Sequence, residues 1–249
     1  MQATPRPSSS PKVHRLPDDA QTTERETGSV HQWQPIVVGR ETVKPPRLLD
    51  PRWRLAKRAF DIALSLLLLP FALPLMGLVA FAVRIDSPGP IIFKQQRTGR
   101  NGKRFSMFKF RTMVENAEEL KVTYAHLNIL QPPDFKIPND PRITRVGRIL
   151  RKTSLDEIPQ LFNIALGHMS FVGPRPTSFA SATYDIWHGE RLDVTPGLTG
   201  IWQIKARGES EFDDRLRLDI EYIRTWSLWL DVKLLFLTVF AVVKQRGAH

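Results

Sequence analysis

Between Arg148 and Pro176 the chain reads RILRKTSLDEIPQLFNIALGHMSFVGPRP, with adjacent carboxylates at Asp156 and Glu157 set in a field of cations. Arg145, Arg148, Arg151 and Lys152 precede the pair and Arg175 follows it. Guanidinium groups pair with phosphate oxygens, while a carboxylate binds a divalent ion or attacks phosphorus, so the mixture suits phosphate chemistry. Ser154-Leu155-Asp156-Glu157 also fits the S-x-x-E capping box of a helix start, with Asp156 complementing the helix dipole. The two readings are compatible, because a helix N-terminus attracts anions too. Pro159 limits how regular the first turn can be and moves the start a residue or two onward.

The elements around this segment must hold it. Glu157 to Ala165 is the helix expected to carry the carboxylates, stopped by Gly167. Ile143 to Lys152 before it reads as a basic amphipathic segment, and Val172-Gly173-Pro174-Arg175-Pro176 after it as a rigid turn. In that turn, prolines on both sides fix the backbone of an arginine suited to phosphate. Upstream, Ile91 to Lys94 and Arg104 to Phe110 flank turn residues Gly99 to Gly102, which predicts a β-hairpin. Its Phe105, Phe108 and Phe110 alternate with Lys109 and Arg111, but the glycines of an RNA-binding motif are missing. A basic hairpin beside lipid headgroups is preferred to nucleic acid. Glu115 to Leu130 is expected to be a surface helix, followed by a proline-interrupted loop.

From Phe60 to Val83 the chain is almost wholly apolar, long enough to cross a bilayer at about 1.5 Å per residue. Pro70 and Pro74 in its middle predict a kink or break. Arg52, Arg54, Lys57 and Arg58 precede the run, and Arg84, Lys94, Arg97 and Arg100 follow it. Since positive flanks favour the cytoplasm, a helix that enters, bends at the prolines and returns to the same face fits better than a straight crossing. Near the other terminus, PGLTGIWQIKARGE reads as a loop, Phe212 to Arg224 as a helix, and Trp226 to Lys244 as another. The apolar part of that last helix is too short to cross and is expected to lie along the interface, its tryptophans at headgroup depth.

A formal charge of +11 over 249 residues and a pI near 10.2 call for an anionic partner: nucleic acid, an acidic membrane or a phosphorylated substrate. With 42% hydrophobic residues the chain can build a real core. It has no cysteine, which excludes disulfides, thiolate metal sites and cysteine nucleophiles. His126, His168 and His188 lack ligand spacing. Residues 1 to 50, rich in Pro, Ser, Thr and charge, are expected to be disordered and are not a signal peptide.

Taken in order, several motifs resemble one family: the bacterial sugar transferases, the monotopic polyprenyl-phosphate phosphoglycosyl transferases. They are Lys57-Arg58-x-x-Asp61, the proline-broken apolar run, Ser87-x-Gly89-Pro90, Gln95-x-Arg97-x-Gly99, Lys109-Phe110-Arg111-Thr112-Met113, Arg142-Ile143-Thr144-Arg145, Ser154-Leu155-Asp156-Glu157, Gly173-Pro174-Arg175-Pro176 and Pro196-Gly197-Leu198-Thr199-Gly200. The resemblance runs from about Leu55 to Lys244. It departs from the family at Leu73-Pro74, where Ser-Pro is frequent, and at Ala206-Arg207, where Gly-Arg is common. Larger relatives carry extra transmembrane helices first; here the tail alone is expected to precede the catalytic unit.

The resemblance implies an α+β, mostly helical fold. It would be a monotopic membrane protein with a proline-broken re-entrant helix over 60–83, a small β-hairpin and interfacial amphipathic helices, all in one transferase domain over 51–249. It implies transfer of a sugar-1-phosphate from a nucleotide diphosphate sugar, usually a UDP-sugar, to a polyprenyl phosphate such as undecaprenyl phosphate, with release of UMP. Asp156 matches the family nucleophile that forms a covalent phosphosugar intermediate, and Glu157 the neighbour that helps bind Mg2+. Arg151 and Arg175, with Lys57 and Arg58, are the expected phosphate ligands, and Asp219 is a candidate for active-site support. The implied location is the bacterial inner (cytoplasmic) membrane, with the catalytic domain on the cytoplasmic face among acidic lipids; a homo-oligomer stays open. Two other readings compete. A carboxylate-pair glycosidase is disfavoured by the arginines, and a non-catalytic basic membrane-surface scaffold would tolerate loss of Asp156 and need no magnesium.

Overall fold

Asp50 opens the longest helix: its carboxylate accepts a hydrogen bond from the Arg52 amide at 2.8 Å, and Pro51 occupies the first turn, where no amide hydrogen is needed. In the computed structural model, which describes residues 37–38, 41–42, 46–129, 135–179, 187–205 and 212–243, this helix α1 spans Pro51–Asp86. Pro70 and Pro74 both lie inside it, and the two helices that a break would leave are one element here. A proline removes one amide donor, but an apolar helix keeps the rest of its ladder because nothing around it competes for those groups. Only 22% of the apolar stretch is buried by the protein, and Leu66, Phe71, Leu78 and Phe81 are largely exposed. By length and composition α1 suffices to cross a membrane.

Most of the tail expected to be disordered lies outside the described residues. Two short strands, β1 (Val37–Val38) and β2 (Glu41–Thr42), pair antiparallel, and a 3-10 turn at Arg47–Leu49 puts Leu48 into the core. Leu48 thus packs into the core a few residues before α1 begins.

After α1 comes the predicted hairpin, β3 (Ile92–Thr98) antiparallel to β4 (Arg104–Phe110), with Gln95 opposite Met107. The first strand is longer than expected, and Phe105, Met107 and Phe110 turn into the core. Arg111, just past β4, donates to the Ser87 and Pro88 carbonyls and so ties the hairpin to the end of α1. The expected surface helix is shorter, α2 (Ala117–Thr123), followed by a 3-10 turn at Ala125–Leu127. Next, α3 (Arg145–Thr153) is capped by Thr144, whose hydroxyl accepts from the Gly147 amide at 3.0 Å.

The segment expected as a loop around Pro196 instead holds β6 (Gly197–Thr199) and α5 (Ile201–Lys205). β6 pairs parallel with β5 (Ser170–Val172), Ser170 opposite Gly197 and Val172 opposite Thr199. Parallel pairing between segments so far apart leaves no hairpin signal for a sequence to display. The two backbones touch just past the pairing: a Cβ on Gly197 would lie 2.1 Å from the Gly173 nitrogen. α6 (Phe212–Thr225) and α7 (Leu228–Val243) fall close to their predicted bounds. α7 buries Leu234 and exposes Trp229, Phe236, Val239 and Phe240.

One buried polar knot joins these helices. Asp231 on α7, fully buried, accepts from Lys57 at 2.5 Å, the Tyr222 hydroxyl at 2.7 Å and the Trp226 indole at 3.1 Å. One turn along α1 from Lys57, Asp61 accepts from the Ser170 hydroxyl and the Phe171 amide, linking the apolar helix to β5.

Candidate functional site

The helix expected to present the dyad starts too late to do so. Ser154 ends α3 in the left-handed conformation (φ 58°), a 3-10 turn then covers Leu155–Glu157, and α4 spans Gln160–Ala165 behind Pro159. Proline has no amide hydrogen to give and is accepted just before a helix proper, so Asp156 and Glu157 stand on the turn between two helices. The capping box does not form. Ser154 makes no side-chain cap bond, and the Glu157 carboxylate is taken by two cations instead. Charge-assisted hydrogen bonds outcompete a backbone amide for a carboxylate.

Those cations come from different elements. Lys109 on β4 and Arg175 in the turn after β5 donate to the same Glu157 oxygen, Oε1, at 2.8 and 2.7 Å. Burial by itself would raise the Glu157 pKa, but Arg175 and Lys109 overturn that and hold it far below the usual carboxylate range. Glu157 Oε2 and both Asp156 oxygens accept no hydrogen bond from the described residues. Burial pushes the Asp156 pKa up; Lys109 opposes the rise, the Glu157 charge adds to it, and Arg151 and Arg175 oppose it. The site thus holds one carboxylate neutralised by cations beside one that is unbonded and of raised basicity.

Each cation has its own support. Asn163 on α4 accepts from the Phe108 amide at 2.9 Å and donates to the Ser106 carbonyl at 2.7 Å, which fixes β4 and therefore Lys109 against the helix behind the dyad. The Arg151 Nε donates to the Thr112 hydroxyl at 2.8 Å, leaving its exposed end facing outward. Thr112 is reached because α3 lies directly on it: a methyl at Gly147 would come 2.1 Å from the Thr112 oxygen and 2.8 Å from its Cα. Neither is the far end of a flexible side chain, so Gly147→Ala should lower stability by about 1–3 kcal/mol in a denaturant or thermal unfolding experiment. A change under about 0.5 kcal/mol, the range of ordinary surface substitutions, would show that α3 lifts off Thr112 freely.

The other expected phosphate ligands go elsewhere. Lys57 is buried on Asp231, and Arg58 donates to the Ile164 and Ala165 carbonyls at the end of α4, so neither contacts the dyad. Asp219 on α6 is buried against Arg191 at 2.7 Å; burial pushes its carboxyl up and Arg191 opposes this. Lys109, Thr112 and Arg191 are the site residues that sequence reasoning did not single out. Lys109 and Thr112 stood in a recognised motif, but only the fold shows that Lys109 faces Glu157.

Among the described residues no cluster of three or more His, Cys, Asp or Glu can hold a metal by itself. A magnesium ion needs only one or two carboxylates when phosphate and water supply the remaining oxygens. The unbonded oxygens of Asp156 and Glu157 Oε2 fit that demand.

A family model, bacterial sugar transferase, matches residues 52–245. The undecaprenyl-phosphate galactose phosphotransferase of Salmonella typhimurium is 45% identical over 201 residues, covering 79% of this chain and 42% of that protein. The UDP-glucose:undecaprenyl-phosphate glucose-1-phosphate transferase of Escherichia coli is 43% identical over 205 residues, again 79% of this chain and 42% of the relative. The exopolysaccharide production protein ExoY of Rhizobium meliloti is 40% identical over 205 residues, covering 78% of this chain and 88% of that protein. The chain thus spans less than half of the first two relatives and most of the third.

Proposed function

Because the chain belongs to the bacterial sugar transferase family, we propose that it transfers a sugar-1-phosphate from a nucleotide diphosphate sugar to a polyprenyl phosphate, with Asp156 as nucleophile. The observation that carries this is the division of labour in the dyad: Glu157 is held by Lys109 and Arg175, while the Asp156 oxygens beside it are unbonded. The names of the relatives support undecaprenyl phosphate as acceptor and a UDP-sugar as donor.

An Asp156 oxygen attacks the sugar-proximal phosphorus of the donor; a new P–O bond forms, the bond to the bridging oxygen breaks, and nucleoside monophosphate leaves with the electron pair. The polyprenyl phosphate oxygen then attacks the same phosphorus, breaks its bond to Asp156 and frees the carboxylate as the polyprenyl diphosphate sugar forms. Arg175 and Arg151 meet the phosphate oxygens, because a carboxylate approaches an anionic phosphate only where cations offset the repulsion. Magnesium, held by Glu157 and Asp156 when bound, would add positive charge at those oxygens.

In this reading a bend at Pro70 and Pro74 within the single helix α1 returns both positive flanks to the cytoplasmic face of the inner membrane and anchors the site at the headgroup plane, with the apolar face of α7 at the interface and acidic lipids beside the basic flanks. There the dyad reaches a soluble donor and a lipid phosphate together.

The test is release of nucleoside monophosphate from a panel of nucleotide sugars by membrane-embedded protein, with undecaprenyl phosphate and magnesium. Release dependent on one sugar supports the reaction and names the donor; none from uridine or other donors transfers the weight to a lipid-binding scaffold. The pH profile supplies a second check. Asp156 must be ionised to attack, and burial raises its pKa above 3.8, so kcat/KM should fall as pH drops through a value above that of an ordinary aspartate. Lys109 is the strongest opposing cation. Lys109→Met should therefore move this acid limb to higher pH, whereas an unmoved limb would assign it to another group.

A further inference from the structure

The turn that carries Arg175 is short of its own hydrogen bonds. Pro174 and Pro176 have no amide hydrogen, and three successive carbonyls look outward for donors. Each finds one on a different element: Pro174 O accepts from the Gly197 amide at 2.8 Å, Arg175 O from Arg191 Nη2 at 2.6 Å, and Pro176 O from Arg97 Nη1 at 3.4 Å. The outer two hold the ends of the turn. The middle one holds the residue whose guanidinium lies on Glu157.

Arg97 is steadied by the neutral Gln95 side chain, whereas Arg191 is anchored by a buried ion pair. The same Nη2 that donates to Arg175 O donates to Asp219 Oδ2 at 2.7 Å, and the side chains of Arg191 and Asp219 are only 5% and 2% exposed. A buried ion pair gives little net stability, because desolvation of both charges offsets their attraction. What it does supply is a fixed donor position, since Arg191 has little room to choose another rotamer. A continuous path then runs from α6 through Asp219, Arg191 and the Arg175 carbonyl to the Arg175 side chain and Glu157 Oε1.

We propose that Arg191, locked by Asp219, is a positioning residue that sets the backbone of Arg175 so that its guanidinium spans Glu157 and an incoming phosphate. This rests on the transferase reading for its kinetic consequence. The remaining Arg175 donors have no protein partner among the described residues, and Arg191 itself touches no reacting atom. Loss of Arg191 acts through Arg175 alone, and loss of Asp219 acts through Arg191.

A double-mutant cycle reads this directly. In membrane-embedded full-length protein, Arg191→Met should lower kcat/KM for nucleotide release by about 10- to 100-fold, the usual cost of losing a group that orients a ligand. Arg191→Lys keeps a donor and should recover part of the loss. In an Arg175→Met background, Arg191→Met should cost nothing further, because its only route to the reaction is gone. Multiplying losses, each variant hurting the other's background in full, would overturn the proposal in favour of a general stabilising role. Hydrogen–deuterium exchange separates this from the reaction itself. Arg191→Met made together with Asp219→Asn, so that no carboxylate is left buried without a partner, should speed exchange in peptides covering residues 172–177 while α6 stays protected. Exchange unchanged there would overturn the brace even if activity fell, and a parent protein that releases no nucleotide would count against the transferase reading while exchange still decided the brace.

Discussion

Asp156→Asn is expected to reduce nucleotide release by about a thousandfold or more, the scale seen when a covalent nucleophile is removed, without loss of stability. The two halves of this expectation share a cause. The Asp156 carboxylate sits partly buried, beside the Glu157 charge and without a hydrogen bond from the described residues, so the folded state resists its ionisation. With a folded pKa above the unfolded value, the native state holds the proton longer. Stability therefore falls as pH rises from about 4 through the folded pKa, and the penalty is complete above it. An asparagine carries no such charge, so at neutral pH the variant should unfold at the same temperature as the parent or higher. A phosphosugar adduct detected by intact mass in the parent after mixing with donor alone should be missing from the variant. Turnover near the parental rate would remove Asp156 from the nucleophile's role, and a large fall in unfolding temperature would mean that the carboxylate supports the fold.

Asp231→Ala should be among the most destabilising single changes in the protein. The substitution strands the Lys57 ammonium in a site where only 8% of its side chain reaches solvent, and deprives the Tyr222 hydroxyl and Trp226 indole of an acceptor. Breaking a buried pair from one side costs about 3–5 kcal/mol, which for a domain of this size lowers the unfolding temperature by about 6–20 °C. Replacing both partners, with Lys57→Met and Asp231→Leu together, should recover much of the loss because neither charge remains buried alone. Circular dichroism melts of Asp231→Ala, Lys57→Met alone and the double variant in nanodiscs would measure it. The same series decides what Lys57 does. A lysine that met the substrate phosphate would raise KM on replacement and leave the melt alone, whereas the buried pair predicts the opposite.

Much of the chemistry was legible along the chain because it was local. Asp156 and Glu157 are neighbours, Arg151 lies a few residues before them, and the Pro-Arg-Pro turn announces itself by composition. Helix α1 was visible for the same reason, since an unbroken apolar run needs no partner to be recognised. The local signals failed where two rules competed for one residue. Ser154 and Glu157 satisfied a capping pattern, but Lys109 and Arg175 offered the Glu157 carboxylate a stronger bond, and Pro159 delayed the helix that the pattern would have opened.

Lys57 and Arg58 show a second kind of limit. Basic residues before an apolar run fit headgroup phosphate and an internal ion pair equally well, and the choice was made by Asp231 and by the α4 carbonyls, more than a hundred residues away. The parallel β5–β6 contact and the Arg191 link to Arg175 were invisible for the same reason. By itself, then, the sequence determined the adjacent carboxylates, their surrounding charge and the apolar helix, because these depend on residue type and near spacing. The tertiary structure alone decided which cations reach Glu157, which are consumed by the scaffold, and how Arg175 is held, because a hydrogen bond is settled by which donor packing brings within about 3 Å.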